Sequence, residues 1–446
     1  MQAEAPPRPG LSVFDTAMVV VSLVIGIGIF RTPAMVAAAT GGTGRFLFAW
    51  VAGGAASLVG ALVFAEIGSR YPHAGGLYKV VAHCWHPMTA FLLNWAQVLM
   101  QGAGAAGVAL IGAEYLLRLT GRGAAGARAV QLTAALLVGG LVLLSARGIR
   151  AGARTQNVLS VSKILLVAGL AVAGLLAGVA GPPSSATAAG THAEAGMLAA
   201  LVAVFYTYGG YHNTMNLAGD VREARRKIPV GIAGGMIVVT VLYLAINAAY
   251  ARVLGIEGIA ASPLVAADLA RAALGDFGEA FISLAIFLSA AGFVNATILH
   301  VPRGYIPMAE DGLLPAALGR LNPATQAQLG GLSFFAATAL LPLLLLGSFE
   351  KLLAYVMFTD ALSLAVAASC IFILRDRQRG GAAEGTWSMP GYPWLPVVFV
   401  IVLLGLAGNV LVLQTRLALA GAAIVLIGVP IYFLMKRTLR PERLTG

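Results

Sequence analysis

Apolar side chains run almost unbroken along this chain in stretches of 18 to 30 residues, separated by short polar joints. The runs fall at about 13–38, 45–68, 88–117, 129–146, 156–180, 195–218, 230–252, 275–300, 329–347, 350–374, 394–414 and 417–436. A helix needs about 20 apolar residues to cross a bilayer. The pattern therefore predicts an all-α membrane protein with twelve transmembrane helices. The runs are continuous rather than alternating and too long for barrel strands, which disfavours a closed β-barrel.

Composition agrees. Of 446 residues only 11% are charged and 59% are hydrophobic, against about 25% charged in a soluble domain. No long polar stretch could form a soluble head. The joints at 182–190, rich in Pro, Ser, Ala and Thr, and at 380–385 read as loops, too short to be domains. The division expected is a cytoplasmic tail at 1–12, a core of ten helices at 13–374, and helices 11 and 12 with a second tail at 375–446. The first run lacks a basic flank followed by a small-residue cleavage site, so it reads as a retained span.

The net charge is +11, but the basic residues sit in short clusters between the runs, not in one patch, which argues against nucleic acid. With the N-terminus inside, 19 Lys and Arg fall on inner segments and 9 on outer ones. That bias predicts both termini in the cytoplasm. Cys84 and Cys370 are distant in sequence and lack metal-ligand spacing, so neither a disulfide framework nor a metal is expected. No cofactor is expected.

Two runs carry internal breaks. In the first, Gly26 and Gly28 flank Ile27, with Pro33 close behind. In the sixth, Gly209 and Gly210 sit among Tyr206, Tyr208, Tyr211, His212 and Asn213. Non-helical backbone at membrane depth must be buried in protein or line a cavity. Interrupted segments at matching positions in two halves of a chain mark a transporter binding site. Here they open two five-helix units, helices 1–5 and 6–10, which would be inverted relative to each other. Free N–H groups near Gly28 suit a carboxylate. Carbonyls near Val24, Ile25, Tyr206 and Gly209 suit an ammonium. A ligand with both groups is an α-amino acid. One glycine pair alone is more often a packing device; two at matched positions favour a site.

Single residues add candidates. Lys163 lies inside the fifth run, where a central lysine costs about 2.5–3.5 kcal/mol on insertion scales and so points to a function. Its alternative is a snorkelling side chain near a helix end. Asp360 is the second such charge, in the tenth run; it could bind a substrate hydroxyl or amine, carry a proton, or simply be hydrated. Asn94, Gln97 and Gln101 share one helical face. With Asn295 and Thr297 they either reach the substrate or bond neighbouring helices. His212 reads as either a pH-sensitive or a structural group. Glu66 and Asp220 fall beside Arg70 and Arg222, as inner anchors or gate pairs. The histidines form no catalytic group: His73, His83 and His86 fall in an inner joint, His192 in an outer one, and His300 stands alone. A membrane enzyme would need such a group, and a channel a ring of charge or a repeated filter; neither is visible.

Five segments together resemble the amino acid–polyamine–organocation transporter superfamily, close to its bacterial neutral amino acid transporters and exchangers. They are GIGIF at 26–30, AEIGSRYPHAGGLY at 65–78, YGGYHNTMNLAGDVREARRKIP at 208–229, RGYIPMAEDGLLP at 303–315 and MPGYPWLP at 389–396. The resemblance implies the inverted five-plus-five fold with helices 11 and 12 peripheral. It implies carboxylate contacts at the backbone of Gly26, Ile27 and Gly28, and ammonium contacts around Val24, Ile25, Phe205, Tyr206 and Gly209. Tyr206 matches an aromatic gate. Lys163 matches the place of a sodium ion in sodium-coupled cousins. Ile27 departs from the small residue many relatives keep there. The expectation is a sodium-independent secondary transporter of small or medium neutral L-amino acids in the cytoplasmic membrane. It would work by alternating access as a single chain, with exchange or protons as driver. Cationic amino acids or amines, bound through Asp360, are the alternative substrates.

Overall fold

The computed structural model describes residues 12–438, less 73–75, 123–125, 178–192, 222, 263, 276, 347–355, 379–380, 382 and 414. The joint at 182–190, His73, Arg222 and the side chain of Asp220 lie outside the described residues. So does the outer-loop His192.

Within the described residues the predicted runs are helical, apart from the breaks at 25–27 and 208–210 and single residues at 177 and 275. The first becomes α1 (Val13–Val24) and α2 (Gly28–Thr40). Next come α3 (Thr43–Arg70), α4 (Gly76–Cys84), α5 (Pro87–Leu119), α6 (Ala127–Ala146) and α7 (Ile149–Leu176). The second half holds α8 (Ala193–Thr207), a 3-10 segment at Tyr211–Asp220, α9 (Ala224–Ala261), α10 (Val265–Leu274) and α11 (Phe277–His300). After a 3-10 turn at Pro302–Gly304 follow α12 (Tyr305–Glu310), α13 (Ala316–Gly319), α14 (Leu329–Leu346), α15 (Val356–Arg377), α16 (Trp394–Leu413) and α17 (Thr415–Thr438). No strand occurs among the described residues. Six of these helices are long and apolar enough to cross a membrane, or seven if the bent pair α1 and α2 is one span.

Local chemistry sets the boundaries. Ser12 and Asp15 form a reciprocal capping box that starts α1. Gly148, at φ 136°, turns the chain so that α7 begins seven residues before the predicted run. The structure adds α4, α10 and the short helices after α11, which are too short or too polar to register as apolar runs.

Outward faces are oily. On α6, Leu136 is 77% and Leu143 70% exposed, a surface that suits lipid rather than water. Inward, Trp50 of α3, Tyr208 and Tyr243 of α9 form one buried aromatic cluster, with ring centroids 4.9 to 6.1 Å apart. It packs the middle of α3 and α9 against the end of α8.

The basic end of the molecule is stitched by one carboxylate. Glu66 of α3 is fully buried and accepts hydrogen bonds from Arg70, from Arg375 at 2.7 and 2.8 Å, and from the Met389 amide at 2.8 Å. The Arg375 guanidinium also lies 3.8 Å from the Tyr392 ring centroid. Of the expected anchor pairs, Glu66–Arg70 is therefore present, and Arg375 joins it. Nearby, Tyr78 donates to Asp311 at 2.8 Å, and Lys79 pairs with the same carboxylate at 2.8 Å. Burial, and then the Asp311 charge, hold the Tyr78 hydroxyl well above the usual phenol range.

Candidate functional site

Both predicted breaks are real, and they meet. α1 stops at Val24, residues 25–27 are non-helical, and α2 departs at 48° to α1. The Gly26 amide turns back onto the Val24 carbonyl at 2.7 Å. α8 stops at Thr207, residues 208–210 form a turn, and the chain continues as a 3-10 segment rather than an α-helix.

The contact between the breaks demands small residues. Gly210 has φ +112°, and a Cβ there would lie 2.7 Å from the Leu23 carbonyl oxygen. A Cβ on Gly28 would lie 2.9 Å from the Thr207 methyl carbon. Thr207 in turn donates to the Ala203 carbonyl at 2.8 Å and meets the Thr32 hydroxyl at 2.9 Å. Gly26 differs, because its Cβ would find the Phe293 ring at 3.6 Å, an ordinary contact. Ile27, just ahead of α2, is buried.

Protein donors hold the carbonyls that α1 leaves unpaired at its end. The Lys163 ammonium, fully buried, donates to the Ser22 carbonyl at 3.0 Å, the Ser22 hydroxyl at 3.1 Å and the Ile25 carbonyl at 2.9 Å. Lys163 is thus no snorkelling side chain; it is an internal tie to the first break. Ser289 of α11 donates to Ile25 and Gly26, each at 3.3 Å. The Tyr243 hydroxyl lies 2.9 Å from the Val24 carbonyl and 3.4 Å from that of Thr207, spanning both breaks. Tyr243 and Ser289 escaped the sequence reading, since a Tyr or Ser inside an apolar run gives no sign of its partner.

The side-chain candidates divide. Gln101 and His212 line one cavity, together with Asn94, Gln97, Ser363 and His300. Gln97 donates to the Asp360 carboxylate at 2.7 Å. Asn295 does not line it: its amide donates to the Gly152 carbonyl at 3.2 Å and to Gln156 at 2.9 Å, tying α11 to α7. Thr297 bonds its own helix at Phe293. Phe205 and Tyr206 stack edge to face at 6.1 Å at the end of α8, and Phe205 also meets Phe399 of α16. One expectation needs correction: His300 is not alone, because it lines the same cavity as His212. Cys84 and Cys370, distant in sequence, come close in space: the Cys84 thiol lies 3.8 Å from the Cys370 carbonyl, with both thiols free. Among the described residues no group of His, Cys, Asp and Glu could hold a metal ion.

Comparison with known proteins fits this geometry. A family model described as amino acid permease matches residues 11–430. The chain is 29% identical over 422 residues to the serine/threonine exchanger SteT of Bacillus subtilis (strain 168), covering 94% of each chain. It is 26% identical over 431 residues to the human large neutral amino acids transporter small subunit 2, covering 93% of this chain and 78% of that one. It is 25% identical over 425 residues to the human cystine/glutamate transporter, covering 93% and 83%.

Proposed function

The chain belongs to the amino acid permease family, and we propose that it is a sodium-independent exchanger of small or medium neutral L-amino acids. As a member it is a multi-pass membrane protein that transports amino acids; its family and relatives are transporters, not enzymes. The finer reading rests above all on the meeting of the two breaks. In that reading the backbone of Gly26, Ile27 and Gly28 receives the substrate carboxylate at the N-terminus of α2. Carbonyls around Val24, Ile25, Phe205, Tyr206 and Gly209 receive the ammonium, using lone pairs beyond those already given to Lys163, Ser289 and Tyr243. Gly210 keeps the second break close, and Tyr206 closes over the substrate.

Sodium independence is supported by Lys163, whose ammonium takes the carbonyl bonds that a cation would need. Exchange is supported by the likeness to an exchanger over nearly the whole chain. Proton coupling is the second driver considered, since a lysine out of water can change its charge during a cycle. The fold proposed is twelve spans, with residues 13–374 as an inverted five-plus-five core and the last two helices peripheral. Both termini, and the end carrying Glu66 and Arg375, face the cytoplasm, and the chain works alone in the cytoplasmic membrane.

A counterflow assay tests this. Purified protein in liposomes is preloaded with unlabelled L-serine or L-alanine, and labelled uptake is followed with sodium or choline outside. Uptake faster than in empty vesicles, and equal in the two salts, is expected. No acceleration by any neutral amino acid overturns exchange; a sodium requirement overturns the role of Lys163. The cationic alternative is supported by Asp360 next to the cavity, and competition by lysine or arginine would reveal it.

A further inference from the structure

The cavity between the breaks and the basic end is lined by side chains that ask for a hydrogen-bonding occupant. His212 is 3% exposed, and neither ring nitrogen has a hydrogen-bond partner. His300 is 1% exposed; its Nδ1 faces the Ala296 carbonyl at 2.9 Å, and its Nε2 has no partner. The Ser363 hydroxyl is buried and also unpartnered. Polar atoms kept from water without partners are costly, and three such groups line this one space. The cavity offers about 50 Å3 to water, room for a few molecules.

The surrounding charges narrow the occupant. α15 contributes Asp360, held by Gln97, and it lies within electrostatic reach of His212, as His212 does of His300. The polar groups α5 contributes to the lining are amides, at Asn94, Gln97 and Gln101. α4 contributes Tyr78, a neutral phenol donating to Asp311, whose charge is shared with Lys79. α3 faces His212 with the Phe64 ring, and its Glu66 is consumed by Arg70 and Arg375. On α1, Asp15 is bonded to Ser12 and Asn157. Lys163 of α7 is bonded to α1, and Arg303 sits on the 3-10 turn that follows His300. Among the described residues no cation lines the cavity, so two imidazoles, with a carboxylate held by the lining Gln97, are matched to a small positive charge that water can deliver.

We propose that His212 and His300, with Asp360 as counter-charge, form a proton-binding site served by water in this cavity. The proton arrives from water and returns to water, and no other bond is made or broken. This site is separate from Lys163, and it rests on the reading of the chain as an alternating-access carrier. Its consequence is that carrier turnover depends on pH at the face this cavity opens to.

Carbon-13 NMR of the full chain in detergent micelles, labelled at histidine Cε1, tests it directly. His212→Gln and His300→Gln assign the two resonances. At least one of the pair should titrate between about pH 5 and 8, the window in which histidine changes charge, and should move to lower pH in Asp360→Asn. If neither resonance titrates in that window, or if Asp360→Asn leaves them unmoved, the proposal is wrong. In liposomes, L-serine counterflow of the parent protein should change about tenfold across that window, and the double His212→Gln, His300→Gln variant should lose the dependence. A profile unchanged in the double variant also overturns it. If the double variant fails to fold, the titration of the parent protein decides alone. The titration needs no transport, so a failure of exchange is distinguishable from a failure of this site.

Discussion

The Lys163 ammonium lies 2.9 Å from the Ile25 carbonyl oxygen, with no water-accessible surface on either residue. A charge taken out of water is tolerable only if its donors are all used. Lys163 uses three, and every one goes to the end of α1 or to the break behind it. α7 therefore holds the first break in shape.

Lys163→Met removes that tie, takes the lysine donor from the Ser22 carbonyl and leaves the Ile25 carbonyl only the 3.3 Å bond from Ser289. Each buried group left unpaired costs about 1–3 kcal/mol. The variant should unfold several degrees earlier in a thermal scan and lose at least about tenfold in counterflow, since one tenfold step needs only about 1.4 kcal/mol. Gly292→Ala should act in the same direction from a distance, because its Cβ would lie 2.6 Å from the Lys163 Cε. Counterflow equal to the parent in both variants would refute the tie.

Tyr243→Phe deletes one hydroxyl that touches both breaks. The loss in stability should be about 1 kcal/mol, the net worth of a typical hydrogen bond. KM should rise more than the maximal rate falls, because what is lost is the mutual placement of the two backbones. Initial-rate kinetics over a range of substrate concentrations separate the two effects.

Gly210→Ala and Gly26→Ala form a contrasting pair. At Gly210 both the φ of +112° and the Leu23 carbonyl oppose a side chain, so the variant should be poorly folded, as judged by size-exclusion elution. At Gly26 a methyl group meets only an ordinary contact. That protein should fold normally yet bind substrate more weakly, because the added carbon enters the space proposed for the carboxylate. Thermal shift with and without L-serine reads both properties.

Asp360→Asn keeps the shape of the side chain and its bond to Gln97. If Asp360 faces the substrate side chain, competition by lysine or arginine appears in the parent and vanishes in the variant. If it does not, neither protein shows cationic competition.

The all-helical class and the two breaks were legible because apolar runs and glycine-rich interruptions are strong local signals. The elements that escaped, such as α4 and α10, are short helices whose formation depends on what they pack against. At the breaks, Gly26, Gly28, Gly209 and Gly210 could be read because glycines clustered inside an apolar run interrupt a helix. Tyr243, Ser289 and His300 could not, because each sits in an ordinary helical run and gains its meaning from a partner far along the chain. For Asn295 the sequence left two uses open, substrate or helix bonding, because a polar residue in an apolar run has to bond something; here it bonds α7.

The buried Glu66 has a mechanical consequence. Its carboxylate holds α3, the end of α15 and the backbone at Met389 in one knot, and that backbone leads straight into α16. Pulling α3 and α15 apart would leave a charge stranded away from water, at about 3–5 kcal/mol for a broken buried pair. The three helices are therefore geared together at this end.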